Sequence, residues 1–174
     1  MKSPELIRNI FIFLILHIIV FSTATAAVKE YYVSCKQSDF DYIYENYEEE
    51  KYIPGKLEYE GEEWDIRLRI RGDGSRKLPK KSLKVQFDSD DFVTGSDEIN
   101  LNSEYTDPSY AQQFLSSRIF RETGNPCYDT EHVKLFVNGN YLGLYLQVQN
   151  VDKDFLRSID FDVNGNLYKA AKDW

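Results

Sequence analysis

Two runs of alternating apolar and polar residues, within the stretch DIRLRIRGDGSRKLPKKSLKVQF at 65–87, constrain this chain more than any other feature. In the first run the apolar residues alternate with Arg67, Arg69 and Arg71, and the second run places Lys84 among its polar positions. A period of two residues is typical of a strand with one buried face and one polar face. The segment between the runs contains glycine and proline, so the sequence predicts a hairpin.

The polar face of this hairpin concentrates positive charge. Like charges that face each other across a sheet are unfavourable, so this face requires solvent, carboxylates or an anionic ligand. Carboxylates for a structural salt-bridge network are available on the preceding strand, at Glu58, Glu60 and Glu62. The glycines of the connection, Gly72 and Gly74, would let an anion approach backbone amides closely. The residues alone leave salt bridges and anion binding both open.

The charge of the whole chain argues against a general affinity for nucleic acid. The 174 residues include 21 Lys and Arg against 29 Asp and Glu, which gives a net charge of −8. Binding to the phosphate backbone depends on an excess of basic residues, so we expect no nucleic-acid partner. The length is that of one domain.

Residues 1–26 are predicted to be a signal peptide and not part of the fold. Lys2 and Arg8 form a basic start, residues 10–21 are apolar, and Ala-Thr-Ala at 24–26 fits a cleavage site. An uncleaved anchor is the alternative, because the apolar run approaches the length of a membrane span. Cleavage predicts a secreted or extracytoplasmic protein without a stable membrane span.

Export would place Cys35 and Cys127 in an oxidising compartment, where two cysteines can form a disulfide. Two separate thiols are the alternative, and the spacing of two cysteines does not decide between them. A zinc site is not expected, because the chain has two histidines and one of them lies in the predicted signal peptide.

Periodicity and turn signals predict an α+β fold, with antiparallel β-hairpins and about three helices packed on one side. Strands are expected at 28–35, 56–60, 63–71, 82–87, 99–102, 133–137, 141–148 and 166–171. Helices are expected to begin at Ser38, at Asp107-Pro108 and near Asp152. The second helix is expected to turn an apolar face to the core, formed by Tyr110, Phe114, Leu115 and Ile119.

Two dipeptides supply the turn signals that matter most for this arrangement. Pro54-Gly55 is expected to interrupt the chain before the second strand. Asn138-Gly139 is expected to form the two-residue turn of a hairpin between residues 133 and 148.

Spaced motifs follow one another in order from residue 69 to residue 169. They are R-I-R-G-x-x-S-R-x-x-P-K-K-S-x-K-x-x-F at 69–87, L-N-S-E-x-x-D-P-S at 101–109, F-x-x-x-G-x-P at 120–126, V-N-G-x-Y-x-G-x-Y at 137–145, V-D-K-x-F at 151–155 and G-N-L-Y-K at 165–169. Together they resemble the spore-coat CotH kinase family, over roughly residues 63–171.

The resemblance implies an atypical Ser/Thr protein kinase that transfers the γ-phosphate of ATP, with Mg²⁺ or Mn²⁺, to protein substrates on the cell or spore surface. The location would be the cell surface, the spore coat or the periplasm. Residues 63–174 would form a nucleotide-binding lobe that resembles the N-terminal lobe of kinases, after a helix and first hairpin strand at 27–62. The aspartates that hold metal have no match here and are expected in a second lobe beyond Trp174. The 174 residues alone would then be inactive.

Under this resemblance the cationic hairpin corresponds to the loop and the lysine that hold nucleotide phosphates in kinases. Lys84 is the expected catalytic and nucleotide-binding lysine, with Lys81 as a competitor for that role. Arg69 and Arg71 are expected to neutralise phosphates, and Ser75 to bind phosphate oxygens together with the turn amides. Preorganised positive charge is what phosphoryl transfer requires of a protein.

The chain departs from the family pattern at two places. Gln112-Gln113 stand where the family often has Arg-Asn. Gln149 lies in a segment where the family often has a Glu. If that Glu pairs with a lysine, the amide weakens the ion pair and the activity is altered or lost.

Two functions of other classes compete with the kinase. One is a non-catalytic spore-coat or surface scaffold, in which the hairpin is a salt-bridged wall. The other is an adhesin that displays the tripeptide Arg71-Gly72-Asp73, which also spells an integrin-binding motif.

Overall fold

The computed structural model describes residues 27–88 and 96–168. Along the chain, the strands and helices are β1 (Lys29–Cys35), α1 (Gln37–Glu45), β2 (Ile53–Tyr59), β3 (Glu62–Arg71), a 3₁₀ helix (Gly74–Lys77), β4 (Ser82–Phe87), β5 (Glu98–Asn102), α2 (Gln112–Glu122), β6 (Thr130–Val137), β7 (Asn140–Gln149) and α3 (Lys153–Ser158). The predicted signal peptide at 1–26 and the expected strand residues 169–171 lie outside the described residues. Residues 166–168, where that strand was expected to begin, are not in a strand.

The seven strands form a closed barrel in the order β1-β2-β3-β4-β5-β7-β6. Neighbouring strands are antiparallel except β1 and β6, which run parallel and close the barrel, with Tyr31 opposite Leu135. The prediction of an α+β fold that resembles a kinase N-terminal lobe is therefore wrong. The described residues are mostly in β-strands, and the few helices among them are short.

The closure could not be predicted from local patterns. The hairpins β2–β3, β3–β4 and β6–β7 join strands that are adjacent in the sequence, and alternation with turn signals identifies them. In contrast, β1 pairs with a strand about a hundred residues later, since Lys29 lies opposite Val133. No turn sequence signals a pairing between strands that are so far apart in the chain.

The barrel is filled by the inward-facing residues of all seven strands. Its fully buried side chains include Tyr31, Leu57, Leu68, Leu83, Leu101, Leu135 and Tyr145. Helix α1 adds Phe40 and Ile43 to the same core. Burying one such side chain contributes about 1.5–3 kcal/mol, which makes this layer the main source of stability.

Gly55 shows why the expected break at Pro54-Gly55 does not occur. Both residues lie within β2, and Gly55 is opposite Cys35 of β1. A Cβ atom at Gly55 would lie 2.9 Å from the carbonyl oxygen of Ser34, so the strands approach too closely for a side chain. The glycine serves strand pairing and does not form a turn.

Helix α2 differs from its prediction in its start and in its orientation. It begins at Gln112, and the carboxylate of Asp107 instead accepts hydrogen bonds from the backbone amides of Ser109, Ala111 and Gln112 at 2.9–3.0 Å. The buried residue of the helix is Ser117. The expected core residues Leu115 and Ile119 are 53% and 62% exposed, respectively.

Two further features, the cysteines and the helix lengths, relate to the sequence predictions about disulfides and membrane spans. Cys35 and Cys127 are both free thiols in the structure, so no disulfide joins them. Within the described part of the chain, the helices lack the length and the apolar surface needed for a membrane span.

The barrel interior predicts a sharp contrast between two leucines. Leu135→Ala should lower the free energy of unfolding by about 2–5 kcal/mol, because it leaves a cavity in the core of the barrel. Leu115→Ala, on the exposed face of α2, should change it by less than about 0.5 kcal/mol. Urea unfolding of both variants measures this difference. Equal losses would contradict the orientation of α2 and the position of the core.

Candidate functional site

Three of the four cations on the polar face of the β3–β4 hairpin have carboxylate partners. The pairs are Arg67 with Asp88 at 3.0 Å, Arg69 with Glu50 at 3.8 Å and Lys84 with Glu98 at 2.6 Å. These carboxylates come from other segments and not from the expected Glu58, Glu60 and Glu62. Glu50 lies between α1 and β2, Asp88 directly follows β4, and Glu98 begins β5.

Arg71 differs from its neighbours. Its guanidinium is half-buried and donates from Nη1 to Oδ1 of Asn102, a neutral amide. Among the described residues, no carboxylate lies within ion-pair distance of it. Burial and the charge of Arg69 lower the pKa of Arg71, but an arginine side chain stays protonated in proteins. Within the described residues, Arg71 is thus a half-buried positive charge that forms no ion pair, although the charge of Glu98 acts on it from a greater distance.

Asn102 connects Arg71 to helix α2. Its Nδ2 atom donates to Oε1 of Gln113 at 2.7 Å, and Nε2 of Gln113 donates to the hydroxyl of Tyr128 at 3.1 Å. Gln113 belongs to the pair Gln112-Gln113, one of the two places at which the chain is expected to depart from the family pattern. In this protein it holds the amide that orients Arg71.

Arg71 lines a pocket of about 310 Å³ between the β3–β4 connection and the residues after β5. The other lining residues are Gly72, Ser75, Leu78, Ser82, Asn102, Ser103, Glu104, Tyr105 and Thr106. Gly72 has φ of +107°, and a Cβ atom there would collide with Oγ of Ser75. Glycine therefore lets the connection fold back over the pocket.

Two buried serines form the inner wall of the pocket. Oγ of Ser82 accepts a hydrogen bond from the amide of Ser103 at 3.0 Å and donates to Oγ of Ser103 at 3.3 Å. Glu104 follows with φ of +47°, and burial together with Asp107 raises the pKa of its carboxyl group. The pocket therefore combines a guanidinium, several hydroxyls and one carboxyl group whose ionisation is disfavoured.

The predicted site residues fall into two groups. Arg71 and Ser75 meet in the pocket, whereas Arg69, Lys81 and Lys84 do not line it. Lys81 is buried, donates from Nζ to the carbonyl of Arg76 and lies 3.9 Å from the centre of the Tyr47 ring. The catalytic role of Lys84 and the phosphate contacts of the other residues stay predictions.

Sequence reasoning missed the second half of the pocket. Asn102, Ser103 and Glu104 belong to the motif L-N-S-E, which supported the resemblance but received no role. One sequence signal could have identified these three residues. They lie at and just after the end of the short strand β5, and polar side chains at strand ends lie along one edge of a sheet.

The structure also bears on two open points of the sequence. Gln149 does not leave Lys84 without a carboxylate, because Glu98 supplies it, and Oε1 of Gln149 accepts the amide of Asp129 at 3.1 Å. In the tripeptide at 71–73 the arginine is half-buried and bonded to Asn102, whereas Asp73 is exposed, so the two charged side chains are not displayed together.

An acidic cluster lies at the opposite end of β5 from Asn102. Carboxylate oxygens of Asp97, Asp152 and Asp154 lie within 4.8 Å of one another, a donor set that suits a hard cation. Asp152 already caps α3, where it accepts the amides of Asp154 and Phe155. The length of β5 separates this cluster from the pocket, so one cation could not bridge the two.

Comparison with known proteins identifies the class to which this barrel and its pocket belong. A model of the CotH kinase protein family matches residues 68–173, so the chain belongs to this family and the resemblance of the motifs is confirmed. Inner spore coat protein H of Bacillus subtilis (strain 168) is 31% identical over 121 residues, which are 70% of this chain and 33% of that protein. The chain thus spans about a third of the length of the curated relative that it matches.

Shielding of the Lys84–Glu98 pair predicts a measurable contribution to stability. Both side chains are less than 20% exposed, whereas Lys56 and Glu63 form a similar pair at 2.5 Å with both side chains about half exposed. Glu98→Gln should lower the free energy of unfolding by about 1–3 kcal/mol, because it leaves a shielded ammonium without a countercharge.

Glu63→Gln is the matched control, and it should leave the unfolding midpoint in urea unchanged because water and salt screen an exposed pair. An equal loss in both variants would mean that shielding does not distinguish the two pairs.

Proposed function

We propose that this chain is the phosphate-binding part of a CotH protein kinase and that the pocket beside Arg71 holds phosphate groups of ATP. The observation that carries the proposal is the guanidinium of Arg71, which is half-buried and, within the described residues, has no carboxylate partner. A buried charge without a countercharge is costly unless an anion compensates it.

The chemistry of the pocket suits a phosphate group. A guanidinium can donate two parallel hydrogen bonds to phosphate oxygens, and the hydroxyls of Ser75 and Ser103 are further donors. The raised pKa of Glu104 lessens the repulsion between its carboxyl group and an anion. Lys84 and Glu98 resemble the lysine–glutamate pair that kinases require, which supports Lys84 as the catalytic lysine of the complete enzyme.

The residues of this chain bind and orient, and transfer belongs to the complete protein. Phosphoryl transfer depends mainly on positioning and on neutralising charge, with little covalent chemistry for the protein. Mg²⁺ or Mn²⁺ would neutralise the transferring group when bound. Arg71 and Ser75 would hold the phosphates in line, and the protein substrate would be a coat or surface protein. The relative's name as an inner spore coat protein supports an extracytoplasmic, coat-associated location.

Titration calorimetry with ATP and Mg²⁺ tests the pocket. Arg71→Gln should weaken ATP binding about tenfold or more, because a charge-assisted pair with phosphate is lost. Arg67→Gln is the matched control, since it removes an arginine from the same strand face that is already paired with Asp88. The double variant Arg71→Ala with Lys84→Ala should abolish binding. Unchanged ATP affinity in Arg71→Gln and in the double variant would overturn the proposal.

A non-catalytic coat or surface scaffold is the second candidate function. The carboxylates that neutralise Arg67, Arg69 and Lys84 favour it, because a salt-bridged wall needs no ligand. This function predicts no thermal shift with ATP and no labelled protein after incubation of the full-length protein with radioactive ATP. Either signal in the wild type would exclude a purely structural role.

A further inference from the structure

Lys80 joins three segments of the chain at the back of the pocket. It lies in the β3–β4 connection, and its Nζ atom donates to the carbonyl of Ser103 at 2.9 Å, to the hydroxyl of Tyr110 at 3.3 Å and to the carbonyl of Leu144. An ammonium group has three donors, so these acceptors use all of them. Two of the three acceptors are backbone atoms of other segments.

The surroundings of Lys80 are built to enclose it. Its Nζ atom lies 4.2 Å from the ring centre of Tyr145 and 4.8 Å from that of Tyr110, distances at which cation–π attraction operates. Gly143 of β7 has φ of +130°, and a Cβ atom there would lie 3.2 Å from Cε of Lys80. The missing side chain at Gly143 makes room for the lysine.

The lysine also supports the pocket wall described above. Ser103, whose carbonyl accepts from Lys80, bonds to Ser82, and Glu104 follows directly in the chain. The hydroxyl of Tyr145 donates to the carbonyl of Lys81 at 3.1 Å, which fixes the same connection from the other side. Release of Lys80 would therefore loosen both the connection and the residues after β5.

We propose that Lys80 is a positioning residue that holds the Ser103–Glu104 wall of the pocket against β7, so that its protonation controls the affinity of the pocket for phosphate. This inference rests on the proposed function of the pocket. It concerns a residue behind the anion site and not a direct ligand of the anion, since Lys80 does not line the pocket.

The direction of the pH effect follows from the groups that face Lys80. Burial lowers the pKa of Lys80 to about 8, against the opposing charge of Glu104. Tyr110 and Tyr145 are the other titratable groups beside it, and His132 contacts the far side of this cluster through the carbonyl of Tyr110 at 2.7 Å. As the pH rises through 8, Lys80 loses a charge and a donor, so phosphate affinity should fall.

Binding of inorganic triphosphate to the full chain at pH 7 and pH 9 tests this inference. Lys80→Met should bind about tenfold more weakly than wild type at pH 7, because a contact network behind the site is lost. It should also lack most of the decrease that wild type shows between pH 7 and pH 9. Lys77→Met is the control, because Lys77 is an exposed lysine of the same connection, and it should behave like wild type.

A second measurement needs no variant. In protein with ¹³C-labelled lysine, NMR should show a lysine that titrates near pH 8, with the same midpoint as the loss of triphosphate affinity. Lys80→Met with wild-type affinity at both pH values, or two midpoints that differ, would overturn the role of Lys80. Failure of the wild type to bind triphosphate at either pH would overturn the proposed function itself, and the inference with it.

Discussion

The structure depends on a single layer of apolar side chains that must point into a closed barrel. Each strand contributes every second residue to this layer, so the alternate residues are forced outward. On β3 this places Ile66, Leu68 and Ile70 inside and the arginines outside. The cationic face is therefore a consequence of the core, and the chain has to neutralise it with residues from other strands.

Carboxylates neutralise some of the cations on that face and not others, and this difference defines the candidate site. Near the middle of the β3–β4 pair, carboxylates from neighbouring segments reach Arg69 and Lys84. At the end of the pair, Arg71 meets Asn102, which offers an acceptor but no charge. Electrostatics thus separates three ion-paired cations from Arg71, which has no carboxylate partner among the described residues, although all four look alike in the alternating pattern.

The sequence predicted the parts of the fold that depend on neighbours in the chain. Alternation placed β3 and β4, and Asn138-Gly139 gave the hairpin turn, with φ of +49° and +79° at its two residues. The sequence did not predict that the barrel closes. The pairing of β1 with β6 depends on a surface that exists only once the other strands have formed. The orientation of α2 also depends on the assembled barrel. Periodicity therefore predicts Leu115 and Ile119 in the core, whereas both side chains are exposed in the structure.

The candidate site was predictable to a similar degree. Arg71 and Ser75 come from one continuous motif, and the structure places both in the pocket. Asn102, Ser103 and Glu104 are about thirty residues further along and reach the pocket only because β5 pairs with β4. The contacts of Lys80 could not be predicted for a simpler reason. Lys80 occupies the space left by a glycine on β7, and no local sequence pattern connects the two residues.

The parallel pairing of β1 with β6 has a consequence for how the chain folds. Strand β1 is near the N-terminal end of the described residues, and its partner follows about a hundred residues later. Contacts of such sequence separation form slowly, because the entropy of closing the intervening loop must be overcome before they contribute. During synthesis one edge of β1 therefore stays open until β6 has been made, and an open strand edge is a template for aggregation. Of the strand edges that pair in the barrel, the edge of β1 that faces β6 thus waits longest for its partner.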